Sequence, residues 1–576
     1  MNKFETPLTW EIHRNGDLFS ASTNDIPQHH QENLSHEIQY FIYLPRSEKA
    51  THKQTPSDTF DKINRNNRRG TLSTAKIISH AIDGTYISIL INKNDGEIII
   101  LPDPTSGVKI FYKYANGILR FSTDINCVIN QASLDWDYSH LVSFARTQFS
   151  PPGSTAFEKI YVISPGCGLR ISRNLNISQI LIWSPRIDGK NRTKDDLIEA
   201  VADCLETRVN RKSKLCLSLS GGVDSSACGI FLADKFSKEN FSTCVHFYST
   251  RSSEFYEVKL AEAVSNLIDR NLEKIDIDNH LPFDKLISSE APSILNQNML
   301  YISLEEEIIR RVGENVTLVE GQGGDLLFDA LPQFKILTEL FFSKNWRKTL
   351  SVAKTLAILH NESLPRVLCI ALHDSIASIR TTPEISNLAI WPTKRLKYRN
   401  PNNLTYSMPS LRNKYLDIQS LLSTLSSNEI NCKLQRYFPF LDRRIIEIAF
   451  NTPIEHSFNN FNDRLILREA AFKINPCHAI WRKSKGSLDA GVIQGINKNI
   501  SSFRDLIFNG NLHKQHLIDS ALTEEAIKNV KFGSRIHGIQ LALLGCVEIF
   551  CNTWTHRRSE FTPPPLEFKP INSILN

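Results

Sequence analysis

The sequence predicts an α/β protein centred on a doubly wound parallel sheet, with a nearly all-helical part following it. Two observations carry that reading. Strand-like LCLSLS, TCVHFYS, LEKIDID and VTLVE alternate with helical patterns between about residues 195 and 320, as βαβ units do. From about Phe334 onward the periodicity is helical, as in LTELFFSKNWRKTLSVAKTLAIL and later IHGIQLALLGCVEIFCNTW.

The first strand–helix unit, KLCLSLSGGVDSSACGIFLADKF at Lys214 to Phe236, is the most informative. Cys216, Leu217 and Leu219 read as a buried strand, Gly221 and Gly222 let the backbone pass close to a ligand, and Ser225 or Ser226 opens the helix. Amides at such a helix start favour an anion. An ordinary βα loop would explain a bare SGG; the full SGGVDS matches the pyrophosphate loop of enzymes that split ATP between its α- and β-phosphates. No GxxxxGK[ST] occurs, so kinase- or GTPase-type P-loop chemistry has no support.

The next informative unit is VTLVE running into GQGGDLLFDA, which puts Gly321, Gly323, Gly324 and Asp325 at the carboxyl end of another parallel strand, the edge where open α/β sheets bind ligands. Asp224 and Asp325 then face one crevice and can share a magnesium ion with phosphate oxygens. Either aspartate alone would read as a turn residue. QRYFPFLDRRIIEIAF and NDRLILREAAFKINPCHAIWRKSKGS add a helix-rich basic region.

Taken together, SGGVDS, GQGGD, PFLDRRIIEIA, LILREAAF and WRKSK resemble the asparagine synthetase family in its synthetase domain, an adenine-nucleotide α-hydrolase-like sheet. Upstream, IDGTYISILINKNDGEIIILPDPTSGVKIFYKYANGILRFSTDI and FEKIYVISPGCGLRIS are similar to that family's glutaminase-like, Ntn-type β-sandwich. The resemblance implies a sandwich domain over 1–185, an adenylating domain over 195–556 and a disordered tail over 557–576. Glutamine-using members depend on an N-terminal cysteine; position 2 here is Asn2 and the first cysteine is Cys127, so the sandwich is expected to lack glutaminase chemistry. HFYS at His246 to Ser249, GQGGD and WRKSKGS are nearer to the lasso peptide cyclases, which join a peptide's N-terminal amine to an Asp or Glu side chain. An ammonia-dependent asparagine synthetase and a β-lactam synthetase-like cyclase stay open as alternatives.

That resemblance implies the site. ATP would meet Leu217, Ser218, Ser220, Gly221, Gly222, Asp224, Ser225, Phe247, Gly321, Gly323 and Gly324, with Leu217 and Phe247 as an adenine and ribose wall or as plain core. Mg2+ would sit on Asp224 and Asp325, and Lys485 would be the cation beside the adenylate, with Arg482 and Lys483 close enough to confuse the register. Gln322 and Gln435 stand where family members carry glutamates, and an amide takes no proton at neutral pH, so the base is unassigned. The expected partners are a precursor or core peptide, a leader peptidase and a leader-binding protein.

Composition agrees with this and excludes some classes. Net charge of +6 from 67 basic and 61 acidic residues is too mild to argue for nucleic acid, and short basic pieces such as RNNRR read as solvated loops. Eleven cysteines without a CxxC pair or metal-ligand spacing read as buried apolar residues in a reducing compartment. The start of the chain has no signal-peptide run, and no stretch approaches eighteen uninterrupted apolar residues, so a cytoplasmic protein without a membrane span is expected.

Overall fold

The computed structural model describes residues 7–13, 18–22, 29–33, 38–43, 70–82, 84–105, 107–129, 134–209, 214–249, 255–314, 316–342, 345–380, 409–425, 433–483, 489–557 and 569–570. In chain order the first strands are β1 (Leu8–His13), β2 (Leu18–Ser22), β3 (His29–Asn33), β4 (Ile38–Tyr43), β5 (Ile87–Asn92), β6 (Ile98–Pro102), β7 (Phe111–Ala115), β8 (Ile118–Ser122), β9 (Tyr161–Val162), β10 (Cys167–Ile171) and β11 (Ile177–Leu181). They form two antiparallel sheets, ordered β2-β1-β8-β7-β9 and β11-β10-β6-β5-β4-β3. Lys569–Pro570 pairs with β2 at the outer edge of the first sheet. The tail expected to be disordered therefore returns to the sandwich at these two residues, where edge-strand hydrogen bonding offsets the ordering cost.

Strand periodicity explains why the sheets stack. Ile87, Ile89, Ile98 and Ile100 point inward to meet Trp10, Ile12, Leu119 and Phe121 of the facing sheet in one core. Alternate residues, Leu90, Ile99 and Leu101, face outward and are covered by Ala75 and Ile78 of the helix Thr71–Ala81. A sheet buried on both faces needs continuous apolar runs, and EIIIL is one.

The second sheet system is parallel throughout: β12 (Lys214–Ser218), β13 (Phe241–Tyr248), β14 (Asn271–Asp276), β15 (Val316–Val319) and β16 (Gln435–Tyr437), in the order β14-β13-β12-β15-β16. Leu215 and Leu217 pack on one face under the helices Lys194–Arg208 and Val223–Lys235; Cys216, Val245 and Leu318 pack on the other against Leu304 and Ile308. The helical continuation expected from Phe334 is interrupted by β16, which falls within QRYFPFLD and joins the parallel sheet, and it closes with Arg535–Arg557. By length and composition that helix is apolar enough to cross a membrane, which uninterrupted-run counting missed, but 72% of its apolar window is buried. Its Val547, Phe550 and Trp554 share a core with Leu141, Phe144 and Phe157 from the end of the sandwich region. This apolar seam joins the sandwich region to the helical part.

Candidate active site

Strand order places the site. From β12 the chain moves to β13 and β14 on one side, and β15 and β16 lie on the other, so the switch point falls between β12 and β15. After β12, Gly221 adopts φ +74°, and a Cβ there would lie 3.0 Å from the Glu257 carbonyl oxygen and 3.1 Å from the Ala261 amide. Only glycine fits so close to the helix Phe255–Leu267. The following helix begins at Val223, earlier than the Ser225 or Ser226 start expected from sequence, because Gly222 is its N-cap. No side chain caps it, so its first amides point toward the loop as an anion cradle. The serines brace the loop instead. The hydroxyls of Ser220 and Ser225 lie 3.0 Å apart, the Gly222 amide donates to Ser220 Oγ at 3.2 Å, and Ser225 Oγ donates to the Gly222 carbonyl at 3.3 Å. His246, on β13, donates from Nδ1 to the Leu219 carbonyl at 2.8 Å, and burial lowers its pKa.

The loop after β15 crosses directly over this one. A Cβ on Gly321 would sit 2.8 Å from the carbonyl carbon of Asp224, and one on Gly324 would sit 2.7 Å from Asp224 Oδ1. The backbone that carries Asp325 is therefore packed on Asp224. Gly323, at φ +87°, clears Leu441 of the PFLD segment.

Behind the crossing runs a chain of arginines. Arg464 donates to Asp224 Oδ2 at 2.8 Å and pairs with Asp463, which also holds Arg468 at 2.6 Å. Burial opposes ionisation of Asp463, but the two guanidinium groups overcome it and hold its carboxyl below the usual range. Arg468 donates to the carbonyl oxygens of Ile480 and Arg482. Arg482 in turn donates to the Gly221 carbonyl at 2.8 Å and to Glu257 at 2.7 Å, tying WRKSK to the phosphate loop. Sequence reasoning noted a basic region without assigning these bonds. The i, i+4 pair Arg464 and Arg468 in NDRLILREAAF was the available signal.

Ser220, Gly221, Gly222, Asp224, Ser225, Gly321, Gly323, Gly324 and Asp325 are thus brought together. Ser218 ends β12 just below them. Of the two readings of Leu217, its side chain takes that of plain core: it is fully buried beside Gly229, leaving its backbone to border the loop. Phe247 is half-buried against the opposite core. Lys485 lies outside the described residues. Lys483 is exposed, with Nζ 5.6 Å from the centre of the Phe461 ring.

On its other side the Gly321–Asp325 loop borders a cavity of about 600 Å3, lined among others by Gln322, Asp325, Glu305, Gln435 and Gln148. Arg436, on β16, reaches into its wall and bridges Glu305 to Glu320.

A sequence profile for asparagine synthase matches residues 194–555, well over half the chain. "Asparagine synthetase (glutamine-hydrolyzing) 1" of Bacillus subtilis (strain 168) is 24% identical over 449 residues, covering 70% of this chain and 67% of the relative. "Asparagine synthetase (glutamine-hydrolyzing) 3" of the same organism is 23% identical over 434 residues, covering 68% and 65%. The "Microcin J25-processing protein McjC" of Escherichia coli is 23% identical over 423 residues, covering 70% and 73%. The chain therefore spans about two thirds of the length of these synthetases. A glutamine phosphoribosylpyrophosphate amidotransferase structure from B. subtilis covers 56% of this chain and 70% of its own at 11% identity, with a TM-score of 0.18 that lends the fold no support. The matched span takes in both glycine loops, all five parallel strands and the arginine chain, and the chain belongs to the asparagine synthase family.

Proposed function

We propose that this protein is an ATP-dependent carbon–nitrogen ligase that closes a macrolactam in a peptide, as in lasso peptide biosynthesis. The observation that carries the ligase reading is the crossing of the two glycine loops at the switch point of the parallel sheet, an uncapped helix start on one side and Asp325 on the other. A peptide Asp or Glu carboxylate attacks the α-phosphate of ATP and displaces pyrophosphate; the peptide's N-terminal amine then attacks the acyl carbon and AMP leaves. Amides near Gly222, with Ser220 and Ser225, hold the phosphates. Lys485 is assigned to the charge that develops beside the adenylate. Asp224 and Asp325 fit a magnesium ion by donor type, two hard carboxylates at one loop crossing, with Arg464 drawing on one oxygen of Asp224. Bound there, the ion would neutralise triphosphate charge.

The domain division into 1–185, 195–556 and a tail, the glutaminase-like ancestry of the sandwich, its cytoplasmic setting and its leader-processing partners belong to the same proposal. Support for an amine not drawn from glutamine comes from the sandwich itself, whose cysteines, Cys127 and Cys167, are both buried, with burial pushing the Cys127 thiol up. Support for a peptide substrate comes from the similarity to the microcin-processing relative and from a cavity larger than a single amino acid requires. An ammonia-dependent asparagine synthetase is the second reading, favoured by the B. subtilis relatives.

Incubation with ATP and a panel of linear peptides, each with a free amino terminus and an internal Asp or Glu, is the test. Loss of one water from a peptide with matching AMP and pyrophosphate is expected. ADP and phosphate would sink the ligase reading, and turnover with free ammonia and aspartate alone would favour the second one. Glutamate release from glutamine would refute the inactive sandwich.

A further inference from the structure

The cavity beside the Gly321–Asp325 loop is chemically one-sided. Among the described residues, Glu290, Glu305, Glu306, Asp325 and Asp417 line it against one guanidinium, that of Arg436. That guanidinium is already divided between Glu305 and Glu320, so the wall offers net negative charge to an entering group. Gln322 and Gln435 share the wall and accept no proton at neutral pH.

The carboxylates differ in where they are held. Glu306 pairs with Lys285 toward solvent, and Glu290 accepts the Lys433 amide at 2.9 Å. Asp325 sits in the loop itself, where its Oδ1 accepts the Leu326 amide. Glu305 is placed differently. Arg436 gives one nitrogen to Glu305 and another to Glu320, the residue directly before Gly321. One guanidinium therefore separates the Glu305 carboxylate from the strand end that carries the loop. Burial raises the Glu305 pKa; Arg436 opposes the rise, and Glu320 and Glu290 add to it. Its hold on a proton is strengthened without the group being sealed from the cavity.

We infer that this cavity receives the amine-bearing end of the peptide and that Glu305 is the general base for ring closure. The inference rests on the ligase reading above and supplies the base that Gln322 and Gln435 cannot. The substrate ammonium gives one proton to Glu305, and the freed lone pair forms the C–N bond. The acyl C–O bond to AMP breaks, its electron pair leaving with the phosphate, and the second amine proton passes to solvent.

Two half-reactions test it separately. ATP–pyrophosphate exchange with the peptide panel reads adenylation alone, and hydroxylamine, a neutral nucleophile at pH 7, traps the acyl-adenylate as a hydroxamate without a base. Glu305→Gln should keep exchange and trapping within about twofold of wild type while lactam formation falls by about 100-fold or more, the usual weight of a general base. Glu305→Asp should restore part of the lactam rate, and the wild-type rate should rise with pH through the raised Glu305 pKa while Glu305→Gln lacks that limb. Undiminished lactam formation in Glu305→Gln overturns the assignment, as does loss of exchange and trapping together with the lactam. A wild type that exchanges with no peptide of the panel fails one step earlier and overturns the ligase reading itself, and this inference with it.

Discussion

The two sides of the Gly321–Asp325 loop balance their charges differently, three arginines matched by Asp224, Asp463 and Glu257 on one and a surplus of carboxylates on the other. Behind the phosphate cradle stand Arg464, Arg468 and Arg482, each bonded to a carboxylate or carbonyl that fixes its position. Toward the cavity stand carboxylates around one committed arginine. A ligase that joins an acid activated by an anionic nucleotide to a cationic amine has use for that division. On the proposed reading, the paired arginines would stiffen the loop that meets the triphosphate, and the carboxylates of the cavity would draw in the ammonium. The difference also teaches how each half is encoded. A phosphate cradle is made of consecutive amides and glycines, so it appears as a contiguous motif. The cavity wall is gathered from residues as far apart as Gln148, Glu305 and Arg436, which share no pattern along the chain.

The sharpest way to break the comparison is at the crossing itself. Asp325→Ala is expected to abolish AMP formation and leave thermal unfolding near that of wild type. Asp224→Ala should abolish it too, but with a destabilisation of about 2 kcal/mol, because Arg464 then loses one of its two carboxylate partners and keeps only Asp463. Near wild-type turnover in either variant would reduce that aspartate to a turn residue. Equal stabilities of the two variants would remove Arg464 from the account.

Lys485 comes next. A cation aimed at developing charge acts chiefly in the transition state, so Lys485→Ala should lower kcat by about 100-fold or more, about 3 kcal/mol, with little change in the affinity for ATP. Lys483→Ala is the control, since Lys483 is exposed over Phe461. If Lys483→Ala is the damaging change, the register of WRKSK is displaced by two residues.

A smaller effect is expected from Gly321→Ala. The added Cβ would lie 2.8 to 2.9 Å from the backbone of Asp224 and Ser225, too close for either loop to stay in place. Displacement by a fraction of an ångström should reduce turnover roughly tenfold to 100-fold, as misplacement of a bound reactant does. An unchanged rate would show that the two loops move independently.

Legibility followed the same divide. Four of the five parallel strands, with SGGVDS and GQGGD, are readable because strand runs and glycines are local signals, whereas β16 is only three residues long and carries no run of its own. The helix starts two or three residues before the serines expected to open it, because Gly222 is its N-cap. For Leu217 the sequence leaves wall and core open, and strand alternation decides for its side chain, which turns under the helix. The pairing of Lys569–Pro570 with β2 escaped because neither residue carries a strand pattern; a return across the whole chain supplies the partner. The seam between sandwich and helices was invisible for a similar reason. Phe144 and Phe157 lie far from Phe550 along the chain, and only the fold brings them together.

At that seam the contrast with the loop crossing is largest, because a titrating group there has no counter-charge. His140, in the helix Tyr138–Thr147, is buried and has Ser154 Oγ 2.9 Å from Nδ1. Burial alone pushes its pKa down from 6.5 to about 3. The folded chain thus keeps His140 neutral over a range in which the unfolded chain protonates it. The contribution to stability is fully present above the unfolded pKa of 6.5 and is lost as pH falls toward about 3. The slope is about 1.4 kcal/mol per pH unit, so about 2 kcal/mol should be gone by about pH 5. Chemical unfolding near pH 7.5 and near pH 5, on wild type and on His140→Gln, isolates this term from other titrations. The variant is expected to be less stable at the higher pH yet to lose about 2 kcal/mol less on acidification. Equal acid losses in the two proteins would mean that His140 takes up its proton within the folded seam, and that the apolar core between the sandwich and the helices admits water or an anion.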